Sequence, residues 1–119
     1  MSFGKTILEE LFKPPKSRKQ ALIIHFDYGK DSPDDFDKMR DGLDSLVEKS
    51  NLGEYDGHEI AMDLSDGSFY MYSTEIEALF KHIRSYLLSH DFMIGANVYM
   101  RFGEIGSGAK EIEFELHPD

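Results

Sequence analysis

Hydrophobic and polar residues alternate along five short stretches of the chain, the pattern of strands that bury one face. The stretches are ALIIHFDYG (21–29), HEIAMDLS (58–65), FYMYS (69–73), ANVYMRFG (96–103) and EIEFELH (111–117). Asp66 and Gly67 separate the second stretch from the third and predict a tight hairpin turn. The alternation predicts an apolar inner face and an exposed face rich in charged residues and tyrosine.

Two longer segments, 31–53 and 73–90, repeat hydrophobic residues at helical spacing. The predicted buried stripe of the first consists of Phe36, Met39, Leu43, Leu46 and Val47. That of the second consists of Ile76, Leu79, Phe80, Ile83 and Leu87. Gly42 lies inside the first helix, where glycine costs about 1 kcal/mol relative to alanine, so this helix is expected to depend on tertiary packing.

The ends of both helices carry recognisable signals. Ser32 and Pro33 predict the start of the first helix, and Gly53 predicts its end. Thr74 and Glu77 predict a capping box at the start of the second.

Residues 1–20 form a distinct N-terminal unit in the sequence. TILEELFK (6–13) predicts a short amphipathic helix with Ile7, Leu8, Leu11 and Phe12 on one side. Two prolines end it, and a basic linker follows. Two interpretations stay open: the helix docks on its own domain, or it is an arm that binds a partner or a second copy.

The order of these elements predicts an α+β fold. It is a ferredoxin-like β-α-β-β-α-β arrangement with an extra C-terminal strand and an N-terminal helix. Residues 1–20 are the N-terminal helix and basic linker, and residues 21–119 form a single α+β sandwich domain. Both helices would cover one sheet face, leaving the other open unless the N-terminal helix or a second subunit covers it.

Charge is distributed unevenly in a chain whose net charge is -10. Residues 1–20 hold five basic and two acidic residues, a net +3, whereas residues 21–119 hold eight basic and 21 acidic residues, a net -13. Such a body repels nucleic-acid phosphates and attracts basic partners. The sequence therefore predicts a basic protein partner and no nucleic-acid partner.

The sequence lacks the signals of other compartments and of thiol chemistry. It contains no cysteine, which excludes disulfides and thiol catalysis. No signal peptide is recognisable at the start, and no apolar run approaches membrane-spanning length. The expectation is a cytoplasmic protein with no membrane partner.

The run GEYDGHEIAMDLSDGSFYMYSTEIEALFKHIRSYLL followed by GANVYMRFG covers residues 53–103. It resembles a group of small bacterial ferredoxin-like proteins of unassigned function. Their pattern is G-E-x-D-G-[HN]-E, a hairpin, a helix, and a strand ending in [RY]-[FY]-G. The resemblance implies a bacterial origin and the hairpin-helix-strand order, and it brings no catalytic motif.

Two kinds of site chemistry are alternatives. Carboxylate and imidazole groups suit Mn, Fe or Zn, although their spacing here matches no known ligand motif. The metal candidates are Asp56, His58, Glu59 and Asp63, with His25 and Asp27. His25 with Asp27 or Glu59 is the candidate acid–base pair, but an open sheet offers little desolvation to tune a pKa. The sequence predicts no catalytic residue, metal or cofactor.

Protein binding is the leading prediction, because tyrosine and arginine are favoured at interfaces and acidic groups select basic partners. The chain would be a non-enzymatic acidic protein-binding module, of the type of a bacterial immunity protein that neutralises a basic toxin or nuclease. The predicted partner-binding residues are Asp27, Glu59, Asp63, Tyr99, Arg101, Glu111, Glu113 and Glu115. One alternative is a self-associating structural or regulatory protein of unassigned role, with a homodimer formed through the N-terminal helix. The others are a merely solvated sheet face and a metal-dependent enzyme.

Overall fold

A computed structural model of the chain describes residues 20–119. The predicted N-terminal helix (6–13) and most of the basic linker therefore lie outside the described residues. The elements are β1 (Gln20–Asp27), α1 (Asp34–Ser50), β2 (Glu54–Ile60), β3 (Asp66–Ser73), α2 (Ile76–Leu88), a 3-10 helix (Asp91–Met93), β4 (Asn97–Arg101) and β5 (Glu111–Glu115). The α+β class, with two helices and five strands in this part of the chain, is confirmed.

All five strands belong to one antiparallel sheet with the order β2-β3-β1-β4-β5. β1 is the central strand and pairs with β3 on one side and β4 on the other. β2 and β5 are the two edge strands. The extra C-terminal strand, β5, pairs with β4.

The core lies between one face of this sheet and the two helices. Alternate residues of the three central strands, among them Ile24, Phe69 and Val98, are fully buried there. Every residue of the two predicted helical stripes is buried except Leu46, which is partly buried against the core. The helical periodicity was therefore sufficient to identify the buried side of both helices.

Three phenylalanine rings hold the first helix to the middle of the sheet. Phe26 of β1 stacks on Phe69 of β3 with centroids 5.1 Å apart, and Phe36 of α1 stacks on Phe69 at 5.5 Å. All three side chains are almost completely buried. Aromatic rings bury more apolar surface than most other side chains, so burial of these three rings contributes strongly to the stability of the core.

The helix ends differ in detail from the prediction. Ser32 Oγ accepts a hydrogen bond from the Asp34 N–H at 3.1 Å. At the other end, α1 ends at Ser50, and its C-cap is Asn51 in the left-handed conformation, with φ 58°, two residues before Gly53. The predicted capping box of α2 is wrong. The helix begins at Ile76, whose N–H donates to the Gln20 side chain at 2.8 Å, so strand β1 takes over the role of the cap.

The hairpin turn was predicted at the wrong residues. β2 ends at Ile60 and β3 starts at Asp66, so the chain turns through residues 61–65, with Leu64 at φ 63°. Gly67 lies within β3, where a Cβ atom would be 2.8 Å from the Phe26 ring. This glycine is required for close packing of the ring and not for a turn.

Candidate protein-binding face

The side of the sheet opposite the two helices is called the open face, since neither helix of residues 20–119 packs on it. Strand alternation and register define its residues. They are Glu54, Glu59, Asp66, Ser68, Tyr70, Tyr72, Ala21, Ile23, His25, Asp27, Asn97, Tyr99, Arg101, Glu111, Glu113 and Glu115. The face combines an aromatic centre with acidic borders.

The centre of the open face is apolar and aromatic. Ile23 of the central strand lies directly between Tyr70 of β3 and Tyr99 of β4. One row away, the buried Ala21 lies between Tyr72 and Arg101. These tyrosines are partly exposed, so large amphipathic rings are available to a partner at the middle of the face.

The acidic groups are concentrated on the two edge strands. Glu111, Glu113 and Glu115 of β5 lie opposite Arg101, Tyr99 and Asn97, and Glu59 of β2 lies opposite Ser68. With strands about 4.8 Å apart, these two borders are about 19 Å from each other. Carboxylates therefore flank the aromatic centre on both sides.

Glu59, Glu111, Glu113 and Glu115 have few charged side chains of the described residues beside them. Within 20–119, no ion pair joins a lysine or arginine to Glu59, Glu111, Glu113 or Glu115. Their polar contacts are to other groups: Tyr70 donates to Glu59 at 2.9 Å, Asn97 donates to Glu113 at 2.9 Å, and His117 Nε2 lies 3.0 Å from Glu115 Oε1. The hydrogen bond to Glu59 also raises the pKa of Tyr70, which keeps its hydroxyl protonated as a donor.

Arg101 is the single lysine or arginine in the five strands. It lies directly opposite Glu111 of β5. Its Nε, however, donates to the Gly103 carbonyl at 2.7 Å. The guanidinium thus holds the start of the β4–β5 connection, and the borders keep their negative charge.

Seven of the eight predicted partner-binding residues lie together on the open face: Asp27, Glu59, Tyr99, Arg101, Glu111, Glu113 and Glu115. The placement of Asp63 on this face is wrong. Asp63 lies in the β2–β3 turn, where its carboxylate accepts a hydrogen bond from the Ser65 N–H at 3.0 Å. Interaction with Ser65 lowers the pKa of Asp63, as expected for a carboxylate that organises a turn.

His25 connects two polar residues of β3 into one chain of hydrogen bonds. Its Nδ1 is 2.9 Å from Ser68 Oγ, and its Nε2 is 3.3 Å from Asp66 Oδ2. An open depression of about 560 Å³ adjoins them and is also lined by Glu59 and the fully exposed Met62. The hydroxyl, imidazole and carboxylate are thus ordered as in a nucleophilic triad, although on a solvent-exposed sheet.

This chain of hydrogen bonds lacks the other parts of an acyl-transfer site. Such catalysis needs donors aimed at a developing oxyanion and exclusion of water. Ser68 lies on a strand paired on both sides, with Glu59 and His25 as neighbours, so the backbone of this segment belongs to the sheet. The His25 side chain is also 48% exposed. The geometry supports cross-strand stabilisation better than nucleophilic attack.

The fold separates the candidate metal ligands from one another. His58 points to the core side of β2 opposite Phe69, whereas Glu59 points to the open face, and Asp63 lies in the turn. Among residues 20–119, no group of three or more histidine and carboxylate side chains could hold a metal ion. His58 instead packs edge-on against Phe36 at 5.2 Å and pairs with the Tyr55 hydroxyl at 2.8 Å.

His58 should make the fold sensitive to mild acid. Burial lowers the pKa of His58 from its ordinary value of 6.5, so the unfolded chain binds this proton more readily than the folded chain. Stability should therefore fall as pH decreases through about 6.5. Relative to wild type, His58→Asn should lose less stability between pH 7.5 and pH 5 in urea titrations. Parallel pH profiles of the two proteins would contradict this role.

Several residues of the open face were missed or left undecided from the sequence. Alternation could not place Tyr70 and Tyr72, because tyrosine is compatible with either side of a sheet. The more apolar Phe69 and Met71 between them are both fully buried, and this contrast was the available signal. Asp66 and Ser68 were missed because the turn had been predicted at their position.

The remaining findings concern membrane-spanning helices and similarity to known proteins. Neither helix within residues 20–119 has the length and apolar character needed to cross a membrane. The chain matches no protein-family model, no curated protein and no solved structure.

Proposed function

We propose that this chain is a non-catalytic protein-binding module that uses the open face to bind a basic protein. The observation that carries the proposal is the arrangement of Ile23, Tyr70 and Tyr99 between two strands bordered by carboxylates. A central aromatic patch with a polar rim is the common anatomy of protein interfaces. The rings supply buried contact area, and the rim selects the charge of the partner.

The charge of the rim determines the class of partner. Seven carboxylates of the open face are accompanied by a single arginine, Arg101, so a polyanion would be repelled and a basic protein attracted over several ångströms. A basic enzyme that acts on phosphate groups presents a cationic cleft of this kind. We therefore extend the proposal to an inhibitor of such an enzyme, the role of an immunity protein.

Two alternatives are less well supported by the geometry. Stacking of two open faces would place like-charged edge strands against each other, which disfavours a sheet-to-sheet dimer. Catalysis at His25 and Ser68 would require oxyanion donors and desolvation that this face does not provide.

We also propose to class the fold as a ferredoxin-like variant. The strand order β2-β3-β1-β4, with α1 between β1 and β2 and α2 between β3 and β4, supports this classification. The added edge strand β5 departs from the simple form and extends the acidic border.

Site-specific photo-cross-linking tests the proposed function in cells that express the protein natively. A benzophenone amino acid replaces Tyr99 at the centre of the open face in one variant and the exposed His82 on α2 in another. We expect the benzophenone in place of Tyr99 to give a specific adduct with a protein of net positive charge, and the benzophenone in place of His82 to give none. The adduct should decrease as ionic strength rises.

Charge reversal provides the matched control. Glu59→Lys/Glu113→Lys on the open face should abolish the adduct, while Glu48→Lys/Glu77→Lys on the helices, with the same net charge, should preserve it. Equal effects of the two double variants would show that only overall charge matters and would exclude the open face as the binding site. Adducts from His82 alone would do the same, and an acidic protein cross-linked at Tyr99 would contradict the proposed class of partner.

A further inference from the structure

The open face is joined at its centre to a segment of complementary composition. Residues 1–19 precede Gln20, the first residue of the central strand, and contain five lysines and arginines but only two acidic residues. The predicted helix 6–13 has its apolar residues on one side. The segment therefore contains both features that the open face would select in a partner.

The apolar and charged groups of residues 1–19 are complementary to those of the open face. The hydrophobic side of the segment, formed by Ile7, Leu8, Leu11 and Phe12, matches the centre formed by Ile23, Tyr70 and Tyr99. The basic residues of the segment are Lys5, Lys13, Lys16, Arg18 and Lys19. They match four glutamates of the edge strands, Glu59, Glu111, Glu113 and Glu115, which form no ion pair with a lysine or arginine of residues 20–119.

The length of the N-terminal segment is also sufficient to cover the centre of the open face. The linker 14–19 can span up to about 20 Å when extended, and eight helical residues are about 12 Å long. Along β1, the open-face residues Ala21, Ile23 and His25 together span about 13 Å. The segment is therefore long enough to reach along the centre of the face from its attachment at Gln20.

We propose that residues 1–19 bind the open face of the same chain and act as an intramolecular competitor for it. This rests on the proposed function, because an external basic protein would have to displace the segment before it could bind. Tethering gives the segment a high effective concentration at the face. Only partners with greater charge and apolar complementarity than the segment would then bind, which increases selectivity.

NMR spectroscopy of the full chain tests this contact without any external partner. In Leu8→Asp/Phe12→Asp, the resonances of Ile23, Tyr70 and Tyr99 should shift more than those of α2 residues such as His82. The control is Ser2→Asp/Thr6→Asp, which changes the net charge equally but leaves the apolar side and the basic residues intact. It should shift the central residues far less.

Shifts confined to the first 20 residues, or equal effects of the two variants, would overturn the proposal. Sedimentation of the wild type distinguishes binding within one chain from binding between two copies. We expect a monomer. A dimer that Leu8→Asp/Phe12→Asp dissociates would show that the segment binds a second copy and would overturn the intramolecular proposal. Because these measurements need no partner, a failure here leaves the cross-linking result to decide the proposed function independently.

Discussion

Replacing Phe69 by alanine should lower the free energy of unfolding by about 3–5 kcal/mol. Phe69 is fully buried and stacks on both Phe26 and Phe36, so its ring joins β1, β3 and α1. Domains of this size are stable by about 5–15 kcal/mol, so the variant should be close to the limit of folding. Urea denaturation followed by far-ultraviolet circular dichroism measures the loss directly.

Phe114→Ala is the matched control for this prediction. Phe114 also contacts another ring, Phe80, at 5.4 Å, but it lies on the edge strand β5 and is 36% exposed. Its loss should cost clearly less than the loss of Phe69, because less surface is removed from water on folding. Equal destabilisation by the two substitutions would contradict the assignment of the structural centre to the Phe26–Phe36–Phe69 stack.

The buried sides of the helices could be predicted because helical periodicity is a local property of the sequence. Alternation in β1 and β4 was equally informative: Ile24 and Val98 are buried and His25 and Tyr99 are not. Both patterns depend only on which residues must leave water, and this requirement is visible without knowledge of neighbours.

The hairpin shows where local signals are insufficient. Asp66-Gly67 has the composition of a tight turn, but Gly67 is buried within β3 against the Phe26 ring. A glycine used for close packing is indistinguishable in sequence from one used for a positive φ. The error placed Asp63 in a strand, whereas it lies in the turn, and it hid Asp66 and Ser68, whose contacts with His25 join β3 to β1.

The candidate binding face was predictable in composition but not in arrangement. The sequence indicated which residues alternate outward, while only the strand order reveals that the aromatic residues are central and the glutamates are on the edges. That arrangement separates a central contact region from a charged rim, which composition alone cannot do. The partner, the cytoplasmic location and the role of residues 1–20 stay predictions.

Gly42→Ala should destabilise the protein by about 1–3 kcal/mol, in spite of the higher helix propensity of alanine. Gly42 lies where α1 crosses Tyr86 of α2, and a Cβ atom there would be 2.8 Å from Tyr86 Cζ and closer still to its hydroxyl oxygen. The same hydroxyl donates to the Met39 carbonyl at 2.9 Å, which holds the ring over the glycine. The glycine that weakens α1 in isolation thus permits the two helices to pack.

A double-mutant cycle separates the clash from the intrinsic propensity. In Tyr86→Ala the space above Gly42 is vacated, so Gly42→Ala should then be neutral or stabilising by up to about 1 kcal/mol. The coupling energy from urea titrations of the four proteins should accordingly be about 1–4 kcal/mol. If Gly42→Ala stabilises the wild-type chain as much as the Tyr86→Ala chain, the two helices do not cross at this glycine, and the packing that supports the sheet would need a different explanation.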